Sequence, residues 1–269
     1  MSSLFSLGFP AALARAVPVP QADQAAVEEM VRHYFRGSDE NDASMLEIAF
    51  HPTLGMYWVG KDGAIQELDR HAWAERLRSA TTPQPARVRR IVSVDVAGDA
   101  AIARVHSEFT THEFDDFVSL LRLAGRWRIV LKVFHRREPG DPPLPAQTRV
   151  DAERQEIREV LGRMFQAMNQ GDGTRLGPLA VARAQTYGVD GGDLVAVSVP
   201  GWQARLDQAR AQGTVRPAAR EVDWVEVASD VAVARMTHVQ GAERFVGYGS
   251  LLKMADGGWK LIGLVYGRP

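Results

Sequence analysis

At 269 residues and 45% apolar side chains the chain can build two ordinary cores, while a net charge of -1 and a pI near 6.7 leave no basic field to gather a phosphate backbone, which speaks against nucleic acid as a partner. Cysteine is absent, excluding disulfides, thiolate nucleophiles and thiolate metal sites. No apolar run has the length needed to span a bilayer with a helix, so no membrane partner is expected.

Residues 1–21 read as an N-terminal arm or the remnant of an export signal. Leu4 to Ala16 has an apolar middle and a small-residue end at Ala14-Arg15-Ala16, but it lacks a basic start and is interrupted by Pro10 and Arg15. A cytoplasmic location is expected, with export as the alternative. From Asp23, a good N-cap, Val27, Met30, Val31, Tyr34 and Phe35 fall on one stripe of an amphipathic helix, with Gly37 placed to stop it. A short helix follows from Asp42 to Phe50, ended by a turn at His51-Pro52 because a residue before proline is pushed out of the helical region. Met56 to Val59 reads as a short strand, Lys61-Asp62-Gly63 as a turn, and a third helix follows Asp69 with Trp73 and Leu77 one turn apart.

After Pro83 and Pro85 the pattern becomes strands, Val88 to Val96 and Ala101 to Phe109, around a tight turn at Ala97-Gly98-Asp99. Phe117 to Leu123 and Trp127 to Val133 then form a hairpin across Ala124-Gly125-Arg126. Residues 138–150, rich in proline, read as an extended linker.

The chain then repeats itself. Ile157, Val160, Leu161, Met164, Phe165 and Met168 restate the first helix at a constant spacing of 130 residues, Ser119-Leu120-Leu121 returns as Ser250-Leu251-Leu252, and Trp127 returns as Trp259. The second version of the short helix, Asp172 to about Ala180, is weakened by Gly173, Gly177 and Pro178. Two domains are therefore expected, at 22–137 and 151–269. Each is three helices followed by about four long antiparallel strands.

That order of elements resembles the cone-shaped, cystatin-like fold of nuclear transport factor two and its relatives, among them ketosteroid isomerase and the SnoaL-like cyclases. The first half is similar to a bacterial branch described as putative lumazine-binding or SnoaL-like, through Tyr34-Phe35, Phe50-His51-Pro52, Trp73, the run Ile91 to Asp99, and Phe114 to His135. The resemblance implies an α+β fold of two tandem cones, each with three helices packed on a curved antiparallel sheet. It also implies a small apolar ligand in a cavity at the open end of a cone, no cofactor, and pairing of the two copies as an intramolecular pseudo-dimer with a further homodimer left open; no metal is expected, because the sequence has no compact His-x-x-Glu-His or two-histidine, one-carboxylate motif.

Strand alternation suggests the cavity-facing side chains. Trp127, Ile129, Leu131, Val133 and His135 are assigned inward because the opposite face carries Arg104, Arg122, Arg128 and Lys132; Phe117, Ser119 and Leu121 join them, with Ala101, Ala103, Val105 and Ser107, while His106 points away. The opposite phase would reverse every assignment.

Six of the seven histidines lie in the first half, so the cavity is expected there, with the second half as a degenerate partner. Candidate catalytic residues are Tyr34, His51 and His135; candidate ligand-binding residues are Trp58, Trp73, Phe117, Ser119 and Trp127. Against these stand plainer roles: a helix-end imidazole for His51, a strand end for His135, a buried hydrogen-bonded phenol for Tyr34. Tyr34 matches the position of the ketosteroid isomerase oxyanion-hole tyrosine, but Trp58 stands where that family carries its carboxylate base. The acidic cluster Glu113, Asp115 and Asp116 near His112 reads as an acid-base pair or a solvated strand end. Three functions follow: a small-molecule-binding protein, a cofactor-free lyase, isomerase or cyclase using His and Tyr, or a non-catalytic scaffold.

Overall fold

The computed structural model describes residues 21–83, 85–141 and 146–268. The expected arm or signal remnant, 1–21, lies outside these apart from Gln21. The first half runs α1 (Gln21–Glu40), α2 (Ala43–Ala49), β1 (Phe50–Val59), β2 (Ile65–Asp69), α3 (Arg70–Ser79), β3 (Val88–Ala97), β4 (Ala100–Glu108), β5 (Glu113–Leu123) and β6 (Arg126–Arg137). The second runs α4 (Gln147–Gln170), two short 3-10 turns (Gly173–Arg175 and Gly177–Leu179), β7 (Ala180–Asp190), β8 (Asp193–Ser198), α5 (Val199–Ala211), β9 (Ala219–Ala228), β10 (Val231–Gln240), β11 (Glu243–Lys253) and β12 (Trp259–Gly267).

Each half is an α+β unit with its own six-stranded sheet, in the orders β2-β1-β6-β5-β4-β3 and β8-β7-β12-β11-β10-β9. The sheets are mixed rather than purely antiparallel, because β1 runs parallel to β6 and β7 parallel to β12. Three further local expectations change. His51-Pro52 is not a turn but lies in β1, where the register shifts between Phe50 and Gly55 and the missing proline N–H is tolerated. Gly37 does not stop α1; it is where α2 crosses, and a Cβ there would sit 2.9 Å from Leu46 Cδ2. Helix α4 begins at Gln147, inside the stretch read as linker. The glycines of the second half do reduce the short helix to 3-10 turns, as their low helical propensity suggests.

A β-bulge sets the side-chain phase of each central hairpin. Leu120 pairs with Ile129 but Ser119 pairs with Leu131, so Val130 is an extra residue; Leu251 pairs with Leu261 and Ser250 with Gly263, leaving Ile262 extra in the second copy. Trp127 and Ile129 therefore face the helices, in a core with Val27, Val31, Leu46 and Phe50. Beyond the bulge the alternation reverses, and Leu131 and Val133 face the other way, with Phe117 and Leu121.

That other face meets the second sheet. Ile102, Phe117, Leu131 and Val133 pack in one buried cluster with Val233, Tyr248, Leu252 and Val265. The polar contacts across this seam are reciprocal. Arg104 Nη1 lies 2.6 Å from Glu226 Oε1, and at the equivalent positions Arg235 Nε lies 3.1 Å from Asp95 Oδ2. Ser119 and Ser250 meet each other, their hydroxyl oxygens 3.5 Å apart. Close approach is permitted by glycine: a Cβ on Gly267 would stand 2.3 Å from the Ala97 carbonyl oxygen and 2.6 Å from Ala100 N, both backbone. Gly267→Ala is expected to destabilise the protein by about 2 kcal/mol or more in urea denaturation, since neither backbone atom can swing aside. Gly188→Ala, whose Cβ meets nothing within 4 Å, should stay within about 0.5 kcal/mol.

Candidate functional site

The helix-facing side of the first sheet is filled. Asp116 comes inward by the regular alternation of β5 and Lys132 because of the bulge in β6, and both are buried, at 0% and 6% exposure. Lys132 Nζ donates to Tyr34 Oη at 3.0 Å, Tyr34 donates to Asp116 Oδ2 at 2.7 Å, and the ammonium lies 3.1 Å from the same carboxylate oxygen. Burial works against the ammonium, yet Asp116 and Tyr34 hold the Lys132 pKa above the ordinary lysine value; burial, then the Asp116 charge, pushes the Tyr34 phenol up.

Aromatic rings enclose the ammonium, with centroids at 4.5 Å for Phe134, 5.0 Å for Tyr34, and 5.9 Å for Trp73 and Phe114. Trp58 stacks on Phe134, Phe134 meets Phe114 edge-on, and Phe114 touches both Phe109 and His112. Beside them Arg89 on β3 bonds Asp39 at 2.6 Å and donates to Ser107 Oγ at 2.7 Å. Every cation inside this cone has its carboxylate.

The candidate residues do not converge. Tyr34 is inside the cone. His51 lies at the start of β1, where Nδ1 accepts from Thr53 N at 3.3 Å and sits 2.8 Å from Thr53 Oγ1; burial, then Arg70 and Arg128, lowers its pKa. The neighbouring Phe50 pairs with Ile129, about 20 Å along β6 from His135. His135 faces the second sheet, Nδ1 being 2.7 Å from Asp230 Oδ1. Phe117 and Ser119 belong to the same seam: the bulge at Val130 turns His135 away from the Trp127 face, and Phe117 and Ser119 share the face of their β6 partners Val133 and Leu131, so the inward assignment of all three is reversed. Trp127 does face the helices, but as a core residue with the Arg122 guanidinium 5.7 Å from its ring. Trp73 closes over Lys132 and Tyr34, and Trp58 stacks on Phe134 beside them. The acidic cluster is split by alternation: Asp116 goes inward, while Asp115 faces the seam beside Arg104 at 3.2 Å.

In the second half the equivalent positions are trimmed. Tyr34, Asp116, Lys132 and Trp58 correspond to Met164, Gly247, Leu264 and Gly188. Where the first cone holds charge and an indole, the second holds a cleft of about 350 Å³ lined by Met168, Thr186, Val197, Trp202, Arg205, His238, Gln240, Glu243, Phe245 and Tyr266. The first half has a cleft of its own, about 440 Å³ between α1 and β3, but it is lined by Glu28, Arg32, Phe35 and Arg89 rather than by the expected site residues.

His238 Nε2 is buried without a hydrogen-bond partner, and its ring lies 5.6 Å from that of Phe245. Burial, then the Arg220 charge, lowers the His238 pKa, so the imidazole is neutral at pH 7; burial pushes Tyr266 up to about 12 against the same arginine. The count of histidines points away from these residues, since His238 is the one histidine of the second half. The usable signal was the paired loss of bulk at Gly188 and Gly247 between retained aromatics. Among the described residues no group of three or more His, Asp or Glu is arranged to hold a metal ion, and no helix is long and apolar enough to cross a membrane.

The model of the family described as Putative lumazine-binding matches residues 22–135 and again 152–267. No curated protein is significantly similar to the chain. Among solved structures, an NTF2-like protein of unknown function from Shewanella baltica is 24% identical, covering 45% of this chain and 96% of its own, with a TM-score of 0.41. Proteins of the same description from Silicibacter pomeroyi (28% identical; 43% of this chain, 97% of that one; TM-score 0.40) and Methylobacillus flagellatus (27%; 45% and 98%; 0.40) are also similar to it.

Two measurements probe the filled cone and the seam. Lys132→Met leaves Asp116 buried without its cation and should cost about 3 kcal/mol or more; adding Asp116→Gly and Tyr34→Met, the second-half residues, should recover part of that loss in urea denaturation. For His135, burial opposes the charged form but the Asp230 hydrogen bond and the charges of Asp230, Asp115 and Asp141 raise the pKa overall. A raised histidine pKa stabilises fully below the unfolded value near 6.5 and the contribution fades as pH rises through the folded value. The stability gap between wild type and His135→Ala should therefore be on the order of 1 kcal/mol at pH 5.5 and shrink by pH 9.

Proposed function

The chain belongs to the Putative lumazine-binding family in both its halves, and from that premise we propose that it is a small-molecule-binding protein whose ligand enters the cleft of the second half, with the first half as its rigid, filled partner. One observation carries this reading: the two copies share a scaffold, yet in the second the inward tryptophan gives way to Gly188, where a Cβ would meet nothing within 4 Å, and an open space bounded by Trp202, Phe245 and Tyr266 remains. A cleft of about 350 Å³ suits a compact molecule of one or two fused rings. Three aromatic walls favour a flat one, since ring faces gain most from stacking against an extended π surface. Thr186, His238 and Gln240 supply hydrogen-bonding groups that can fix its orientation.

The first half contributes stability. Its buried ammonium is already bonded to Tyr34 and Asp116 and surrounded by rings, so its own side chain occupies the space a guest would need.

Titration with lumazine by calorimetry tests the assignment. Gly188→Trp introduces the first-half residue into free space and should weaken binding at least about tenfold while leaving the melting temperature near that of wild type. Lys132→Met, in the other cone, should leave the affinity unchanged where the protein remains folded. Binding that survives Gly188→Trp and is lost in Lys132→Met would return the ligand to the first half.

A further inference from the structure

The two cones differ in charge as well as volume. In the first, Arg89 is neutralised by Asp39, whose Oδ1 also accepts from Ala86 N at 3.0 Å. In the second, Arg220 occupies the equivalent place, directly opposite His238 across the β9–β10 pair just as Arg89 lies opposite Ser107. The residue equivalent to Asp39 is Asn169. Its amide oxygen takes over the same loop contact, accepting from Ala218 N at 3.0 Å, and accepts from Arg220 Nη1 as well. The geometry is kept and the negative charge is gone.

The second carboxylate of the first cone, Asp116, has become Gly247. Arg220 is thus half-buried, its Nε has no hydrogen-bond partner, and among the described residues no carboxylate forms a salt bridge with it. Its charge is felt by two residues of the cleft wall, His238 and Tyr266, and His238 presents a second unpartnered nitrogen. The charged side chains on the wall itself, Arg205 and Glu243, are one of each sign.

A half-buried guanidinium without a counter-ion is costly unless something brings one. We infer that the ligand of the second-half cleft is an anion, a flat ring system bearing a carboxylate or an ionised ring N–H, whose negative charge is balanced by Arg220, the strand partner of the cleft-wall residue His238. This rests on the reading of that cleft as the ligand site. Charge, rather than ring shape alone, then sets selectivity, because neutral and anionic molecules of one outline stack equally well but only the anion compensates Arg220.

The test uses two probes of the same outline, 2-naphthoate and 2-naphthamide, titrated calorimetrically into the full chain at pH 7.5 and moderate salt. The carboxylate is expected to bind at least about tenfold tighter than the amide. Arg220→Gln removes the cation; Asn169→Asp restores the first-half carboxylate while keeping the loop contact, so it tests the same point in a variant built to fold. Each should bring the affinity ratio close to one with little change for the amide. Equal binding of the two probes to wild type, or a preference that persists in both variants, would overturn the inference while leaving the cleft assignment standing. If neither probe binds, or Gly188→Trp fails to block them, the cleft assignment itself falls and the inference with it.

Discussion

The bulge at Val130, repeated at Ile262, is the constraint on which the rest of the molecule depends. A regular strand would send Trp127, Ile129, Leu131 and Val133 to one side and Lys132 to the other. With one extra residue in β6, the hairpin end supplies the helix-packing core and the far end supplies the seam between the two sheets. The same step carries Lys132 into the first cone beside Asp116, which the regular alternation of β5 already points there, and neither would be tolerated without the other. One inserted residue thereby fixes which side chains build the core, which join the halves, and which stand where a guest could go.

The seam shows what duplication on one chain permits. Its ion pairs, Arg104 with Glu226 and Arg235 with Asp95, are reciprocal, and Ser119 meets its own equivalent, Ser250. These are the marks of an isologous interface. The two copies are nevertheless free to differ, since they are encoded separately. Phe117 has become Tyr248, whose hydroxyl donates to Asp95 at 2.7 Å, and Gly267 stands where the first copy has His135. Such differences leave the contact intact while letting the two interiors specialise.

That specialisation is a matter of electrostatics inside a low-dielectric enclosure. The first cone contains two cations, Lys132 and Arg89, and two carboxylates, Asp116 and Asp39, all engaged with one another. The second retains the arginine alone, held by an amide, and has exchanged the other three groups for Leu264, Gly247 and Asn169. A closed set of charges makes a rigid plug. An open set makes a place for a ligand of complementary sign.

By itself the sequence determined the architecture: the repeat, the helix stripes from Val27 and Ile157, the hairpins and the cone they form follow from local periodicity and from turn residues such as Gly98 and Gly125, whose positive φ angles the tight turns require. It also contains the exchange of Trp58 for Gly188 and of Asp39 for Asn169. Only the tertiary structure decided which face of each strand is interior, because alternation has two phases and a bulge can switch between them within one strand, as it does between Ile129 and Leu131. Histidine counts pointed to the first cone, yet His135 lies on the seam and His51 at the foot of β1, since a side chain's chemistry does not fix the direction in which the backbone presents it. Whether a cone is hollow depends on the summed volume and charge of residues far apart in the chain, such as Tyr34, Asp116 and Lys132, and that sum exists only once the chain has folded.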